Sequence, residues 1–538
     1  MRSPCILRLL SLAGIVLASP SHLDIVLNTG TFRGVTTTNG TEKWLGIPYA
    51  QSPVGNLRFK APLAIQQPFR TLQEASTFGD ACPQPPSDDL GASMSEDCLV
   101  LNVYRPNGTS ADAKLPVLVW LHGGFYMIGS SSNPSTDPTR IINRSVAIGK
   151  PIIFVSLNYR LNTFGFLASA HVDPEDLNAG LLDQRAAFEF IQTNIAPFGG
   201  DPSKVTIWGQ SAGAGSVHAH VLYPSSQDLF RAAIMDSDTG PFKSSPNASV
   251  YDEPGKPFAL LTAAVDCPAD NTSFTCLQRV SFQTLLNASN TFVLGTLNDQ
   301  FWEPAIGPAG SFATERESTK IERGDFLHIP LIAGTNLNEG SIFSETLIGL
   351  NLTGEAEDNA LQRFVLDTLV DDSPVTTDLL DAIVALYPAN DSSLGAPFNT
   401  GDSLFDRGSA WYGDNMFLSS RRRFSEAAAP LQPAFAYFFS EFIPGNSPFL
   451  GVSHASELAL LFGPVPDAVE LDFANTYLDF YLNFINDLNP GSAWPQFTLP
   501  SKQIMQLKRD NITAIPDDFN LERTNFLSNQ TVLDEFQK

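Results

Sequence analysis

The chain has 538 residues, of which 43% are hydrophobic and 17% charged, and it carries a formal net charge of −25. That balance suits a soluble globular protein and excludes polyanionic partners such as nucleic acid, because phosphate binding needs a basic field that nothing here supplies. Length alone suggests two or three domains, although large α/β enzymes exceed that prior as one unit.

Near its start the chain carries Arg2, then an apolar run from Cys5 to Leu17 broken by Arg8 and Ser11, then small residues ending at Ala18. This pattern predicts a secretory signal peptide over residues 1–18 and an extracellular location. No later stretch approaches the ~18 uninterrupted apolar residues of a membrane span, so stable membrane anchoring is not expected. Removing the leader takes Cys5 with it and leaves Cys82, Cys98, Cys267 and Cys276. In an exported chain these read as two disulfides with three possible connectivities; pairing neighbours, Cys82 with Cys98 and Cys267 with Cys276, closes two short loops and is the expected one. Sequons at Asn39, Asn107, Asn143, Asn247, Asn271, Asn287, Asn351, Asn390, Asn511 and Asn529 predict a glycosylated surface.

Strand-length apolar runs alternate with helical patterns, which predicts an α/β sheet protein. Leu115–Leu121 and Pro151–Leu157 are continuous β-branched-rich runs, as expected of strands covered on both faces. From Asp183 to Ile195 the spacing of Leu182, Ala186 and Phe190, with Gln184 and Arg185 outside, predicts an amphipathic helix. A turn over Pro197–Pro202, a short strand Lys204–Trp208, the pentapeptide Gly209-Gln210-Ser211-Ala212-Gly213 and a helix over Ala212–Leu222 follow. Further on come strands over Ile329–Gly334 and Ala434–Glu441.

A Gly-x-Ser-x-Gly pentapeptide arises by chance about once in five chains of this length. Here it joins a strand to a helix, the setting in which a serine on a sharp turn presents its Oγ off a sheet edge as a nucleophile. In that architecture the acid and then the histidine follow the serine. His22, His122 and His171 precede Ser211, His218 and His220 follow it too closely to fold back and read as packing or surface residues, and His328 comes before the acid candidates. His454, in Gly451-Val-Ser-His-Ala-Ser-Glu457, remains as the base. Two carboxylates compete to orient it: Glu339, in the loop after the Ile329–Gly334 strand, and Asp414. The backbone N–H of Ala212 and those of the glycine loop in Leu121-His-Gly-Gly-Phe-Tyr126 are the candidate oxyanion donors. No metal or organic cofactor is implied: His218-Ala-His220 lacks a third ligand at any recognisable spacing.

These residues resemble the type-B carboxylesterase/lipase family, which includes the cholinesterases and fungal lipases of the Candida rugosa kind. Phe198-Gly-Gly-Asp-Pro-Ser-Lys-Val-Thr-Ile-Trp-Gly-Gln-Ser-Ala-Gly213 matches the family's long active-site signature, and Glu96-Asp-Cys-Leu-Val-Leu-Asn-Val-Tyr-Arg-Pro106 its second one, with Val100 where an aromatic or Thr is usual. Gly46-Ile-Pro-Tyr-Ala50, Pro53-Val-Gly-Asn-Leu-Arg-Phe59, Asn158-Tyr-Arg-Leu161, Asn178-Ala-Gly180 with Asp183-Gln184, and Trp494-Pro495 match as well. The resemblance spans nearly the whole chain after the leader and implies a single α/β-hydrolase domain over residues 19–538, with a large, mostly parallel sheet. It implies Ser211 as nucleophile, Glu339 in Asn338-Glu-Gly-Ser341 as acid, His454 as base, Ala212 as oxyanion donor, and a bond between Cys98 and Cys82. Two positions depart from the family. Gln210 stands where Glu is frequent, a change expected to remove a charge without touching the catalytic residues. Phe125 stands at the third position of the usual three-glycine run, so ungapped alignment gives the oxyanion N–H groups to Gly124 and Phe125, with Gly123 and Gly124 as the alternative register.

The implied activity is hydrolysis of small-molecule carboxylic esters through an acyl-enzyme. In the lipases of this family the loop corresponding to Cys82–Cys98 resembles a long apolar flap. Here Pro83 to Asp97 is polar, acidic and proline-rich, which predicts dissolved short-chain or aryl esters as substrates. A lipase or sterol esterase is the alternative, and a catalytically silent adhesion protein the remote one.

Overall fold

A computed structural model describes residues 22–240 and 242–538. The expected signal peptide lies outside the described residues. The central feature is an eleven-stranded sheet. Its strands are β1 (Val35–Thr36), β2 (Thr41–Pro48), β3 (Val100–Pro106), β4 (Leu115–Leu121), β5 (Ile153–Leu157), β6 (Gly200–Gln210), β7 (Ala232–Asp236), β8 (Leu331–Asn336), β9 (Ala434–Phe439), β10 (Gln503–Leu507) and β11 (Thr513–Pro516). They lie in the order β11-β10-β9-β8-β7-β6-β4-β5-β3-β2-β1. The strands from β5 across to β10 pair in parallel, and antiparallel strands close both ends. A small sheet of Asp24–Leu27, Gly30–Arg33 and Gln73–Glu74 lies apart from it.

The continuous apolar strands follow from burial on both faces. In β4, Val117, Val119 and Leu121 face one core, while Leu118 and Trp120 face the other. Helices α1 (Thr139–Ala147) and α4 (Leu471–Asp487) cover the second face, and α2 (Ala179–Asn194) and α3 (Ala212–Leu222) the first. Fully burying one such aliphatic side chain contributes ~1.5–3 kcal/mol.

Five predicted elements shift; the run from Pro151 becomes a strand only at Ile153, and the run expected to reach Glu441 ends as a strand at Phe439. The strand expected from Ile329 starts at Leu331, because Pro330 has no N–H to give the ladder. The strand expected from Lys204 starts at Gly200. Helix α2 begins at Ala179, and Gln184 is buried inside it: its carboxamide donates to Ser216 Oγ at 2.9 Å and accepts from His220 Nε2 at 3.0 Å. An amphipathic pattern places a polar residue outside by default, and these two partners reverse that here.

Disulfides join Cys82 to Cys98 and Cys267 to Cys276, as neighbour pairing predicts. Every sequon asparagine, from Asn39 to Asn529, is exposed. Among the described residues no helix is long and apolar enough to cross a membrane.

Candidate active site

The loops that follow β4, β6, β8 and β9 meet at the carboxyl edge of the parallel strands, where open α/β sheets place their ligands. Ser211 caps β6 and begins α3 at φ 59° and ψ −129°, a region that costs a non-glycine residue about 1–3 kcal/mol. The turn is held from both sides: Ser211 N–H donates to the Asp236 carbonyl at 2.9 Å and Gly215 N–H to the Ser211 carbonyl at 2.8 Å. A Cβ on Gly213 would stand 2.1 Å from the Leu121 carbonyl oxygen. The second glycine of the pentapeptide therefore reflects the close approach of α3 to β4. Ser211 is 7% exposed.

The glycine loop after β4 packs on this turn. A Cβ on Gly123 would meet the Ser211 Cβ at 2.9 Å, and one on Gly124, at φ +109°, the Ile128 carbonyl oxygen at 2.2 Å. Phe125 and Tyr126 then adopt φ 60° and 65°. The N–H groups of Gly123, Gly124 and Phe125 have no acceptor among the described residues, and Ala212, first in its helix, has none within the helix.

Glu339 and His454 are brought together by a seam between their loops. Asn338 bridges to Ser453, Asn338 N–H donates to the Val452 carbonyl at 2.9 Å, and Asn336 Nδ2 donates to the Ser453 carbonyl at 2.9 Å. Across the seam His454 Nδ1 lies 2.6 Å from Glu339 Oε2. The other oxygen, Oε1, accepts from Ser237 Oγ at 2.7 Å and from Asn336 N–H at 2.6 Å. Phe343 and Phe417 pack against the imidazole with ring centres at 5.1 and 4.8 Å. This places the Nδ1 proton towards Glu339 and leaves Nε2 as the basic nitrogen. Gln210 Nε2 lies 3.1 Å from that nitrogen, so the expectation that Gln210 stays clear of the candidate triad does not hold for His454: the turn at Ser211 aims its neighbour's carboxamide at the same imidazole.

Two more buried carboxyl groups stand behind Glu339. Burial, then the charges of Asp236 and Glu339, pushes Glu457 up to about 8, and Asn336 Nδ2 donates to it. Burial pushes Asp236 up to about 6, against the hydrogen bonds it accepts from Tyr481 Oη and Trp208 Nε1.

The other candidates go elsewhere. Asp414, the rival acid, is buried against Tyr387 Oη at 3.0 Å, Asn520 Nδ2 at 2.8 Å and Arg523 Nε at 3.2 Å. His122 is buried against Tyr159, and burial lowers it to about 4. His218 and His220 are packing residues: His218 Nδ1 pairs with Asp238 Oδ2 at 2.6 Å and His220 with Gln184, so the two rings do not converge. No group of three His, Cys, Asp or Glu side chains among the described residues is placed to hold a metal ion.

A narrow pocket opens at Ser211, about 350 Å³ of space between atoms counting its mouth, walled by Phe125, Ala212, Phe343, Tyr412 and Phe417. A carboxylesterase family model matches residues 21–527. The chain belongs to the carboxylesterase family. This esterase is 34% identical to "Secreted lipase 1" of Botryotinia fuckeliana over 89% of its own length and 88% of the relative's. It is 30% identical to "Para-nitrobenzyl esterase" of Bacillus subtilis, over 94% and 98% of the two chains. The solved structure of Aspergillus niger EstA superposes with a TM-score of 0.80 at 26% identity, covering 96% of this chain and 99% of that one. The esterase is thus an α/β-hydrolase and a serine carboxylic ester hydrolase.

Sequence reasoning missed Ser237, Asn336 and Gln210 as neighbours of Glu339 and His454. Ser237 follows directly on β7 in the same way that Ser211 follows β6, so strand-end position is the signal that marks it.

Proposed function

We propose that the esterase is secreted after loss of residues 1–18 and acts, as one α/β-hydrolase domain over residues 19–538, through a Ser211–His454–Glu339 triad. The observation that carries this reading is the 2.6 Å contact of Glu339 Oε2 with His454 Nδ1 at the sheet edge that bears Ser211. Glu339 fixes the tautomer with Nε2 unprotonated. The Gln210 carboxamide leaves Nε2, which takes the Ser211 proton as Oγ attacks the ester carbonyl. The N–H groups of Ala212, Gly124 and Phe125 (Gly123 in the alternative register) hold the oxyanion. His454 protonates the departing alcohol, then activates the water that releases the acid. Disulfides and exposed sequons support export into a glycosylating, oxidising route.

Short-chain or aryl esters fit the site best. The Cys82–Cys98 loop is pinned to the body by Arg58 with Glu96 at 2.6 Å and by Gln84 with the Gly129 carbonyl at 2.8 Å, and no residue of 83–97 lines the pocket. The relatives named as lipases favour a second reading, hydrolysis of long-chain glycerides. Turnover of p-nitrophenyl esters of graded acyl length, with emulsified triolein beside them, tests both. The first reading expects the highest kcat/KM at short chains and little gain above the solubility limit of the fat. A steep rise only above that limit supports the lipase, and absence of both turnover and Ser211 labelling by a fluorophosphonate overturns the triad. An N-terminus found at Met1 on protein recovered from the medium overturns leader cleavage.

A further inference from the structure

The pocket beside Ser211 has aromatic walls but an ionic end. Lys243, Gln300 and Glu303 line it together with Ser211 and Phe125. Lys243 Nζ donates to Gln300 Oε1 at 2.5 Å and lies 3.0 Å from Glu303 Oε1, with Lys243 4% and Glu303 3% exposed. A buried ion pair costs several kcal/mol of desolvation per ion before its attraction is counted, so hydrophobic residues of the same volume would serve a purely structural purpose as well or better. An ammonium has three donors. Among the described residues Lys243 meets two acceptors, and the Glu303 carboxylate accepts from no group other than Lys243. The pair is neutral overall, so its end of the pocket offers one donor and one acceptor rather than a net charge.

We propose that Lys243 and Glu303 select esters whose group entering this pocket bears a hydroxyl, the hydroxyl oxygen accepting from Lys243 Nζ and its hydrogen being donated to Glu303. The inference rests on Ser211 being the nucleophile. A site that hydrogen-bonds a substrate hydroxyl discriminates strongly against the methyl isostere, because the isostere leaves buried polar groups unpaired.

Two matched pairs test it. On the acyl side, p-nitrophenyl 3-hydroxybutyrate is compared with p-nitrophenyl 3-methylbutyrate; on the alcohol side, 2-hydroxyethyl butyrate with propyl butyrate. The hydroxyl ester of at least one pair is expected to have kcat/KM about tenfold or more above its partner. That ratio should fall to within about twofold in the charge-free double variant Lys243→Met/Glu303→Leu. Should that variant not fold, Gln300→Leu, which unfastens Lys243 without burying a lone charge, is expected to lower the ratio as well. Methyl esters equal or preferred in both pairs, or a hydroxyl preference that survives in a folded variant, overturn the proposal. Turnover of p-nitrophenyl butyrate reports separately on Ser211: with it intact, a failed ratio counts against Lys243 and Glu303 alone.

Discussion

Gln210 Nε2 and His454 Nε2 lie 3.1 Å apart, so the carboxamide next to Ser211 occupies the nitrogen that takes the Ser211 proton in the proposed triad. Replacing it by a carboxylate in Gln210→Glu puts a negative charge beside the imidazole, and an opposite charge within ~4–6 Å favours the protonated ring. The base is then lost at higher pH, so the acid limb of kcat/KM against pH should move upward by roughly one unit. A pH–rate profile with an unmoved or lowered acid limb would show that the contact does not persist in the working enzyme.

Glu339 meets His454, Ser237 and the Asn336 N–H. Glu339→Gln keeps the shape but presents the wrong hydrogen-bonding set to Nδ1. We expect kcat to fall on the order of 10⁴-fold with an unchanged fold by circular dichroism. Ser237→Ala removes one hydrogen bond to the carboxylate, worth about 1.5–3 kcal/mol, and should give a smaller loss. Single-turnover kinetics on the two variants check the order, and a larger loss in Ser237→Ala would contradict it.

Phe125 holds φ 60° while its ring lies 5.6 Å from that of Phe343. Truncation removes the ring in either Phe125→Ala or Phe125→Gly, but only glycine adopts that φ freely. Left-handed backbone costs a residue with a Cβ about 1–2 kcal/mol, against ~0.5–1 kcal/mol of extra unfolded-state entropy for glycine. The glycine variant should therefore be the more stable of the two by roughly 1 kcal/mol in urea unfolding. Both should also accept bulkier esters than the parent, since the ring walls the pocket.

Glu457 sits near 8 when folded against an ordinary 4.5. Between those values the unfolded chain gives up this proton and the folded one keeps it, so the group's contribution to stability falls as pH rises through that window. Glu457→Gln cannot titrate. The Tm of the parent relative to this variant should decline steadily from about pH 4.5 to 8 and level off above it. A constant difference across that range would place the Glu457 carboxyl at its ordinary value.

The linear motifs determined much of the catalytic edge. Leu115–Leu121 and the Ala212–Leu222 helix are legible because burial on two faces and a strand-to-helix turn each leave a local pattern. The proposed triad of Ser211, His454 and Glu339 is read from chain order together with family motifs. Tertiary structure alone decided what converges on them. Gln210 reads as a distant neutral replacement until the turn aims it at His454, and Asp414 reads as a plausible acid until Tyr387, Asn520 and Arg523 enclose it. Lys243 and Glu303, sixty residues apart in sequence, become a pair only when their loops fold over Ser211. Patterns of burial repeat every two or four residues and are written locally, whereas contacts between loops depend on the sheet order that sets which strand ends are neighbours.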